Sequence, residues 1–336
     1  MMQAAIKTIR RSNSPLVVGH VNPDADCIAS VLVMHTALRS MGKEARMILP
    51  RDMIAKKFAF MFDLVPAGNR PDQHDKIDLM LVVDTALRSR IALDGAFAPP
   101  DAVTICSIDH HLGNEGYGHV NWVDSDSASC TQMVFSLLEA LGVPITPGQA
   151  GLLYAGLHGD TCGFSLRGTS KSALAAAARL TELGADVPAI CQKMYRTMSR
   201  QEFALMRLVY ENTRVSPSGQ VAWSTVTHDE LLRAGCSPAD IDEQVCVPRS
   251  IEAVRIAILF SEPAAARVRM NLRSEDSLNI LPLAKSLGGG GHAQAAGIMM
   301  DGDMKTTVER VVAQAEEYLR RVDSEPDAVE RANVCR

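Results

Sequence analysis

Within seven residues, 20-HVNPDAD-26 places one histidine and two aspartates directly after the apolar run 15-PLVVG-19. One acidic side chain is enough to cap a helix that follows a strand. His20, Asp24 and Asp26 therefore exceed the needs of a turn. Three more clusters follow: Asp84 in 82-VVDTA-86, then Asp109, His110 and His111 in 109-DHH-111, then Asp160 in 158-HGDTCGF-164. A single aspartate after an apolar strand is ordinarily a cap or a solvated loop residue. Four coincident clusters are not explained that way. Carboxylates combined with imidazoles suit Mn²⁺, Fe²⁺ or Zn²⁺, whereas carboxylates alone lean toward Mg²⁺. The absence of thiolates from the set disfavours a closed structural zinc site. The groups outnumber the needs of one ion. They imply a two-metal centre of the kind that clamps the attacking and leaving oxygens of a phosphoryl transfer.

The elements that must position these groups alternate along the first half of the chain. Strands are predicted over 15–20, 44–50, 76–85, 102–111 and 119–124, with a helix over 27–42 that Gly42 terminates. Helices are predicted over 127–142, 147–160 and 169–184. Near-continuous apolar strands alternating with helices indicate an α/β domain with a mostly parallel sheet and helices on both faces. In such a sheet, ligands bind beyond the carboxyl ends of the strands, where these clusters fall. Residues 188–215 read as one long amphipathic helix with a break near Ser199, followed by a turn at 216-SPSG-219. A second, smaller α/β domain follows, with strands predicted over 220–227, 251–262, 265–274 and 296–300 and helices over 279–288 and 305–322. The expected boundaries are 1–187 for the first domain, 188–217 for a helical linker, 218–323 for the second domain and 324–336 for a loose tail.

Bulk composition narrows the function classes. Aromatic residues make up 4% of the 336 residues, too few for an extended base-stacking platform, and the formal net charge of −5 argues against gripping long duplex nucleic acid. Short anionic substrates held by a few arginines and metal ions stay open. Eight scattered cysteines without a CxxC pair do not make a secreted disulfide framework. With no signal-like or membrane-spanning apolar run, a soluble cytoplasmic protein is expected.

In the second domain, 288-GGGG-291 reads either as a flexible helix-terminal turn or as backbone that closes around an anion. His292 and the small residues after it favour the anion, and Arg273 on the preceding strand could hold a phosphate in bidentate fashion.

In order and spacing, 20-HVNPDAD-26, 82-VVDTA-86, 109-DHH-111 and 160-DTCGF-164 resemble the four motifs of the DHH phosphoesterase superfamily. The stretches 272-LRS-274 and 288-GGGGHAQAAG-297 resemble its DHH-associated C-terminal domain. Within the superfamily, length and domain pairing resemble the bifunctional oligoribonuclease and 3′-phosphoadenosine-5′-phosphate phosphatase branch. The resemblance implies that His20, Asp24 and Asp84 hold one Mn²⁺, and that Asp26, Asp84, His110 and Asp160 hold a second, with Mg²⁺, Co²⁺ or Fe²⁺ as alternatives. It further implies that His111 faces the scissile phosphate, that Asp109 orients a histidine, and that Arg273, Ser274, Gly289, Gly290, Gly291 and His292 bind substrate. Ala29 and Asn271 depart from the pattern, where glycine and serine are usual, without removing a ligand. Cys27 and Cys162 read as buried packing residues, and His158 as a helix-face neighbour of the site. His35, His74, His119 and His228 read as structural or exposed.

The expected activity is hydrolysis of short oligoribonucleotides, of linear dinucleotides such as pApA, or of 3′-phosphoadenosine-5′-phosphate. Cyclic-dinucleotide phosphodiesterases and pyrophosphatase- or exopolyphosphatase-like enzymes of the same superfamily are the alternatives. The expected partners are short RNA or nucleotides, with neither duplex DNA nor membrane, and a homodimer is left open.

Overall fold

The computed structural model describes residues 1–50, 54–66, 68, 70–72, 75–93, 103–166, 168–236, 240–264, 266–275, 277–291 and 293–324. His74, His292 and residues 325–336 therefore lie outside the described residues. The chain forms two compact units, Met1–Thr197 and Met198–Arg336.

The first unit is built on a five-stranded, wholly parallel sheet in the order β2-β1-β3-β4-β5. Its strands are β1 (Pro15–Val18), β2 (Arg46–Ile48), β3 (Leu79–Val83), β4 (Thr104–Asp109) and β5 (Val120–Val123). The helices are α1 (Met2–Arg11), α2 (Ala25–Ser40), α3 (Cys130–Leu141), α4 (Pro147–Asp160), α5 (Lys171–Glu182) and α6 (Val187–Cys191). The sequence pattern leaves α1 unassigned; only Ala5, Ile6 and Ile9 on it are buried. Every described residue of β1 and β3 is buried, which is why both read as unbroken apolar runs.

Alternate residues point to opposite faces. On one face Val17, Leu79, Leu81, Val83, Cys106 and Ile108 join a core with all six helices. On the other, Leu16, Val18, Met80, Val82 and Ile105 cluster with Ile48, Ile77 and Val103, flanked by Ile91 and Tyr117. This second cluster draws its described residues from strands and connecting segments. The β3–β4 and β4–β5 connections hold only a short 3₁₀ turn at Arg88–Arg90 among their described residues.

The expected long helix is interrupted. After α6 comes a π-helical turn, Gln192–Arg196, and then extended backbone to Ser199. Ser199 caps α7 (Arg200–Glu211) through a capping box with Glu202, which starts a new helix rather than continuing the old one. The second unit carries α7, β6 (Arg214–Val215), β7 (Val221–Val226), α8 (His228–Ala234), α9 (Cys246–Arg249), β8 (Ile256–Ala264), β9 (Arg267–Ser274), α10 (Leu281–Ser286), β10 (Gly290–Gly291), β11 (Ala295–Asp301) and α11 (Met304–Ser324). Its six strands run β10-β11-β9-β8-β7-β6, parallel only between β7 and β8. Of the expected tail only Ser324 is described, and it ends α11. No helix among the described residues is long and apolar enough to cross a membrane.

Candidate metal centre

The strand order of the first sheet reverses between β1 and β3, and a doubly wound sheet opens a crevice at that point. His20 follows β1 and Asp84 follows β3, so the two face each other across the crevice with His20 Nε2 3.5 Å from Asp84 Oδ2. Asp24 caps α2, accepting from the Cys27 N–H at 3.0 Å, and its other oxygen lies 3.9 Å from His20 Nε2. His110, just beyond β4, sits on the far side of Asp84. Its Nε2 is 3.5 Å from Asp84 Oδ1, 3.1 Å from Asp160 Oδ2 and 3.8 Å from Asp26 Oδ2. Asp84 thus stands between two groups of ligand-type atoms, one with His20 and Asp24, the other with His110, Asp26 and Asp160.

Asp84 has an unusual local conformation. Its φ is +53°, a left-handed value that aspartate tolerates better than most residues. Its N–H donates to the Ile108 carbonyl at 3.0 Å, which fixes the residue at the lip of the sheet. The carboxylate is buried, and among the described residues Oδ1 meets no donor with good hydrogen-bond geometry, His110 Nε2 standing 3.5 Å away. A buried carboxylate oxygen without a donor is costly unless positive charge covers it.

The same conclusion follows from the electrostatics. Burial works against ionisation of Asp84, but the flanking imidazoles of His110 and His20 hold it well below the usual carboxylate range. Burial, then the negative charge of Asp160 and Asp84, pushes Asp26 well above that range. Burial pushes Asp160 upward as well. Burial opposes protonation of His110, yet the carboxylates of Asp160, Asp84 and Asp26 raise it to about 12. A divalent cation would supply the positive charge that this set of buried carboxylates demands. The donor set fits divalent ions: Asp84, His110 and His111 offer ligand atoms within 4.8 Å of one another, as do Asp26, His110 and Asp160.

Asp26 has a second attachment. Both of its oxygens accept from the first turn of α3, from Cys130 N–H at 2.6 Å and Thr131 N–H at 2.8 Å. Gly156 on α4 permits this closeness, since a Cβ there would lie 2.9 Å from Asp26 Oδ1 and 2.5 Å from the Thr131 methyl.

Asp109 is fully buried and accepts from His111 Nδ1 at 2.7 Å. His111 Nδ1 also lies 3.7 Å from Asp84 Oδ1. The other oxygen of Asp109 accepts from Asn114 Nδ2 at 2.7 Å, and Asn114 in turn reaches the Thr85 carbonyl. Sequence reasoning missed Asn114, because 112-LGNEG-116 carries the composition of any turn. Its partners make it a positioning residue for the Asp109–His111 pair. Asn114→Ala is expected to lower turnover about 10- to 100-fold while bound metal stays constant. Unchanged kcat would remove Asn114 from that role.

Other expectations resolve individually. Cys27 is buried as expected; burial holds its thiol up at about 11, and a Cβ on Gly19 would lie 2.2 Å from its Sγ. Cys162 was expected to be buried but is exposed, because φ of +47° turns it outward at the start of a left-handed run. His35 is a core residue, and the His119 ring accepts from Ile105 N–H at 2.9 Å.

In the second unit, Arg273 lies on β9 in register with Ala295 of β11, half-buried. Ser274 is buried and donates to the Leu278 carbonyl at 2.6 Å. The glycine run divides its work. Gly288 and Gly289 close α10, donating to Lys285 and Ala284 carbonyls at 3.1 and 2.8 Å, while Gly290 and Gly291 pair with β11 and remain exposed. The run is thus part helix terminus and part short strand rather than a single loop.

Comparison with known proteins agrees with this arrangement. Residues 15–157 match the DHH family N-terminal domain, and residues 219–321 match the DHHA1 domain. His20, Asp24, Asp26, Asp84, Asp109, His110 and His111 fall within the first match, Asp160 lies just beyond it, and Arg273, Ser274 and the glycine run fall within the second. The chain is 28% identical over 326 residues, 95% of each protein, to the bifunctional oligoribonuclease and PAP phosphatase NrnA of Thermus thermophilus. It is 27% identical over 300 residues, 88% of this chain and 92% of the relative, to the protein of that name from Bacillus subtilis. An exopolyphosphatase-related protein from Bacteroides fragilis shares the fold across 96% of both chains, with a TM-score of 0.82 and 25% identity. RecJ of Thermus thermophilus, in its crystal structure with Mn²⁺, shows a fold likeness with a TM-score of 0.52 at 15% identity, covering 95% of this chain and 54% of RecJ. The chain thus carries a DHH N-terminal domain followed by a DHHA1 domain.

Proposed function

We propose that this protein is a divalent-metal-dependent phosphoesterase that hydrolyses short oligoribonucleotides, linear dinucleotides such as pApA, and 3′-phosphoadenosine-5′-phosphate. The observation that carries the reading is the position of Asp84, buried, one oxygen without a well-aligned donor, and flanked at 3.5 Å by His20 on one side and His110 on the other. Relatives covering most of the chain that are named as oligoribonucleases and PAP phosphatases support the substrate class. His20, Asp24 and Asp84 would hold one ion, and Asp26, Asp84, His110 and Asp160 the other, with Mn²⁺ the best match to mixed imidazole and carboxylate donors. Two such ions, when bound, supply charge neutralisation at the phosphate and lower the pKa of water.

The chain's own groups do the rest. The Asp109 carboxylate accepts from Nδ1 of His111, which fixes the ring orientation and assigns Nε2 to the substrate. A water oxygen forms the new bond to phosphorus, the bond to the leaving oxygen breaks, and His111 delivers a proton to that oxygen. Arg273, Gly290 and Gly291 of the DHHA1 domain, with His292 beside them, are assigned to the anionic substrate.

The test is a panel of pApA, 3′-phosphoadenosine-5′-phosphate, cyclic di-AMP, pyrophosphate and polyphosphate, assayed with Mn²⁺ and with a chelator. Turnover confined to pyrophosphate or polyphosphate would overturn the reading. Chain length provides the sharper measurement. With few aromatic residues and a net charge of −5, the protein lacks a broad surface to track a strand. Rates on labelled RNA are expected to fall steeply beyond two or three nucleotides. Equal rates on a dinucleotide and a twenty-nucleotide strand would point to a processive exonuclease instead.

A further inference from the structure

The DHH mechanism does not use a group of rings that gathers beside Asp160. His158, two residues before Asp160 on α4, has its ring 5.0 Å from Tyr195, 5.2 Å from Phe164 and 5.4 Å from Tyr154 between centroids. His158 Nδ1 and the Tyr195 hydroxyl are 3.2 Å apart. Tyr154 is buried and forms the base of the group, while Tyr195 is 48% exposed. Phe, Trp and Tyr are only 4% of this chain, so three of them around one histidine are a local concentration.

Two irregular segments build this group, and each is costly unless it serves something. Tyr195 comes from the π-helical turn Gln192–Arg196, a rare conformation that often marks functional sites. That turn packs on the end of α4; Met194 reaches to 3.6 Å from where a Cβ on Gly159 would stand. Phe164 comes from the other side, from a run in which Cys162, Gly163 and Phe164 have φ of +47°, +69° and +65°. A bulky residue at positive φ is strained, and such strain clusters at ligand sites. Phe164 meets the His158 ring edge-on at 88°.

We propose that His158 and Tyr195, braced by Phe164 and Tyr154, form a stacking platform for one nucleobase of the substrate, next to the scissile phosphate. The observation behind it is this convergence of a π-turn and a left-handed loop on one ring at the end of α4, two residues before Asp160. A single base resting on exposed aromatic faces gains affinity without sequence readout, because every base offers a π-face. The platform serves the phosphoesterase reading of the same site, and it makes base-bearing compounds better ligands than phosphates alone.

The experiment measures equilibrium binding of adenosine 5′-monophosphate and of ribose 5-phosphate to the full chain by calorimetry, for wild type, Tyr195→Ala and Tyr195→Phe. Wild type should bind the nucleotide more tightly than the sugar phosphate. Tyr195→Ala should weaken nucleotide binding about 10-fold or more, the loss expected for one stacked base. Ribose 5-phosphate should respond to neither substitution, and Tyr195→Phe, which keeps the ring, should restore the nucleotide. Equal weakening of both ligands, no weakening, or failure of wild type to prefer the nucleotide would each overturn the platform. Binding is read without turnover, so the platform can stand in a protein that fails the hydrolysis panel, and the reverse.

Discussion

Asp84→Asn is expected to abolish turnover, lowering kcat at least about a thousand-fold, the several kcal/mol that a group serving two ions would contribute. Asparagine is the informative replacement. It accepts the φ of +53° that the backbone imposes, keeps the side-chain shape, and removes only the charge. In wild type, Mn²⁺ at about one hundred times its Kd should stabilise the folded state by about 2.7 kcal/mol, and each kcal/mol is worth about 2–4 °C in Tm at this domain size. Asp84→Asn should lose most of that Mn²⁺-dependent rise while its melting in chelator stays near wild type. Near-normal activity at saturating Mn²⁺ would rule out a ligand shared by two ions.

Asp26→Ala is expected to fail in a different way. Its carboxylate is the acceptor for two backbone N–H groups at the start of α3, and both of their residues are buried. Leaving two buried donors unpaired costs about 2–5 kcal/mol in all. Thermal melting in chelator, where metal linkage plays no part, should therefore drop by roughly 5–15 °C. Asp26→Asn keeps an acceptor oxygen and removes a buried charge that burial and Asp160 already push toward protonation. Because asparagine turns its NH2 toward the second N–H, that variant should melt between wild type and Asp26→Ala and bind less metal. An Asp26→Ala protein that melts within about 1 °C of wild type in chelator would show that the α3 attachment carries no stability.

Much of the first unit was legible because burial writes itself into sequence. β1 and β3 are buried along their whole length, so only apolar residues fit, and the run ends where the crevice opens and His20 or Asp84 can be polar. The helix after His20 announces itself through Asp24, whose cap to Cys27 N–H is a contact of three residues in sequence. The second face of the sheet was less legible. The unbroken apolar runs show that Leu16, Val18, Met80 and Val82 are covered too, but loops and helices cover such a face equally well.

The sequence by itself determined the ligand types and the strand ends that carry them, because both follow from residue chemistry and from local periodicity. Only the tertiary structure decided which of those groups meet. Asp26 reaches the first turn of α3 across more than a hundred residues, and Asn114 locks Asp109 through one amide. His158 gains one of its ring partners, Tyr195, from a π-turn 37 residues away. The Asp26 contact depends on how α2, α3 and α4 close on one another at Gly156, a steric fit that no spacing in the chain encodes.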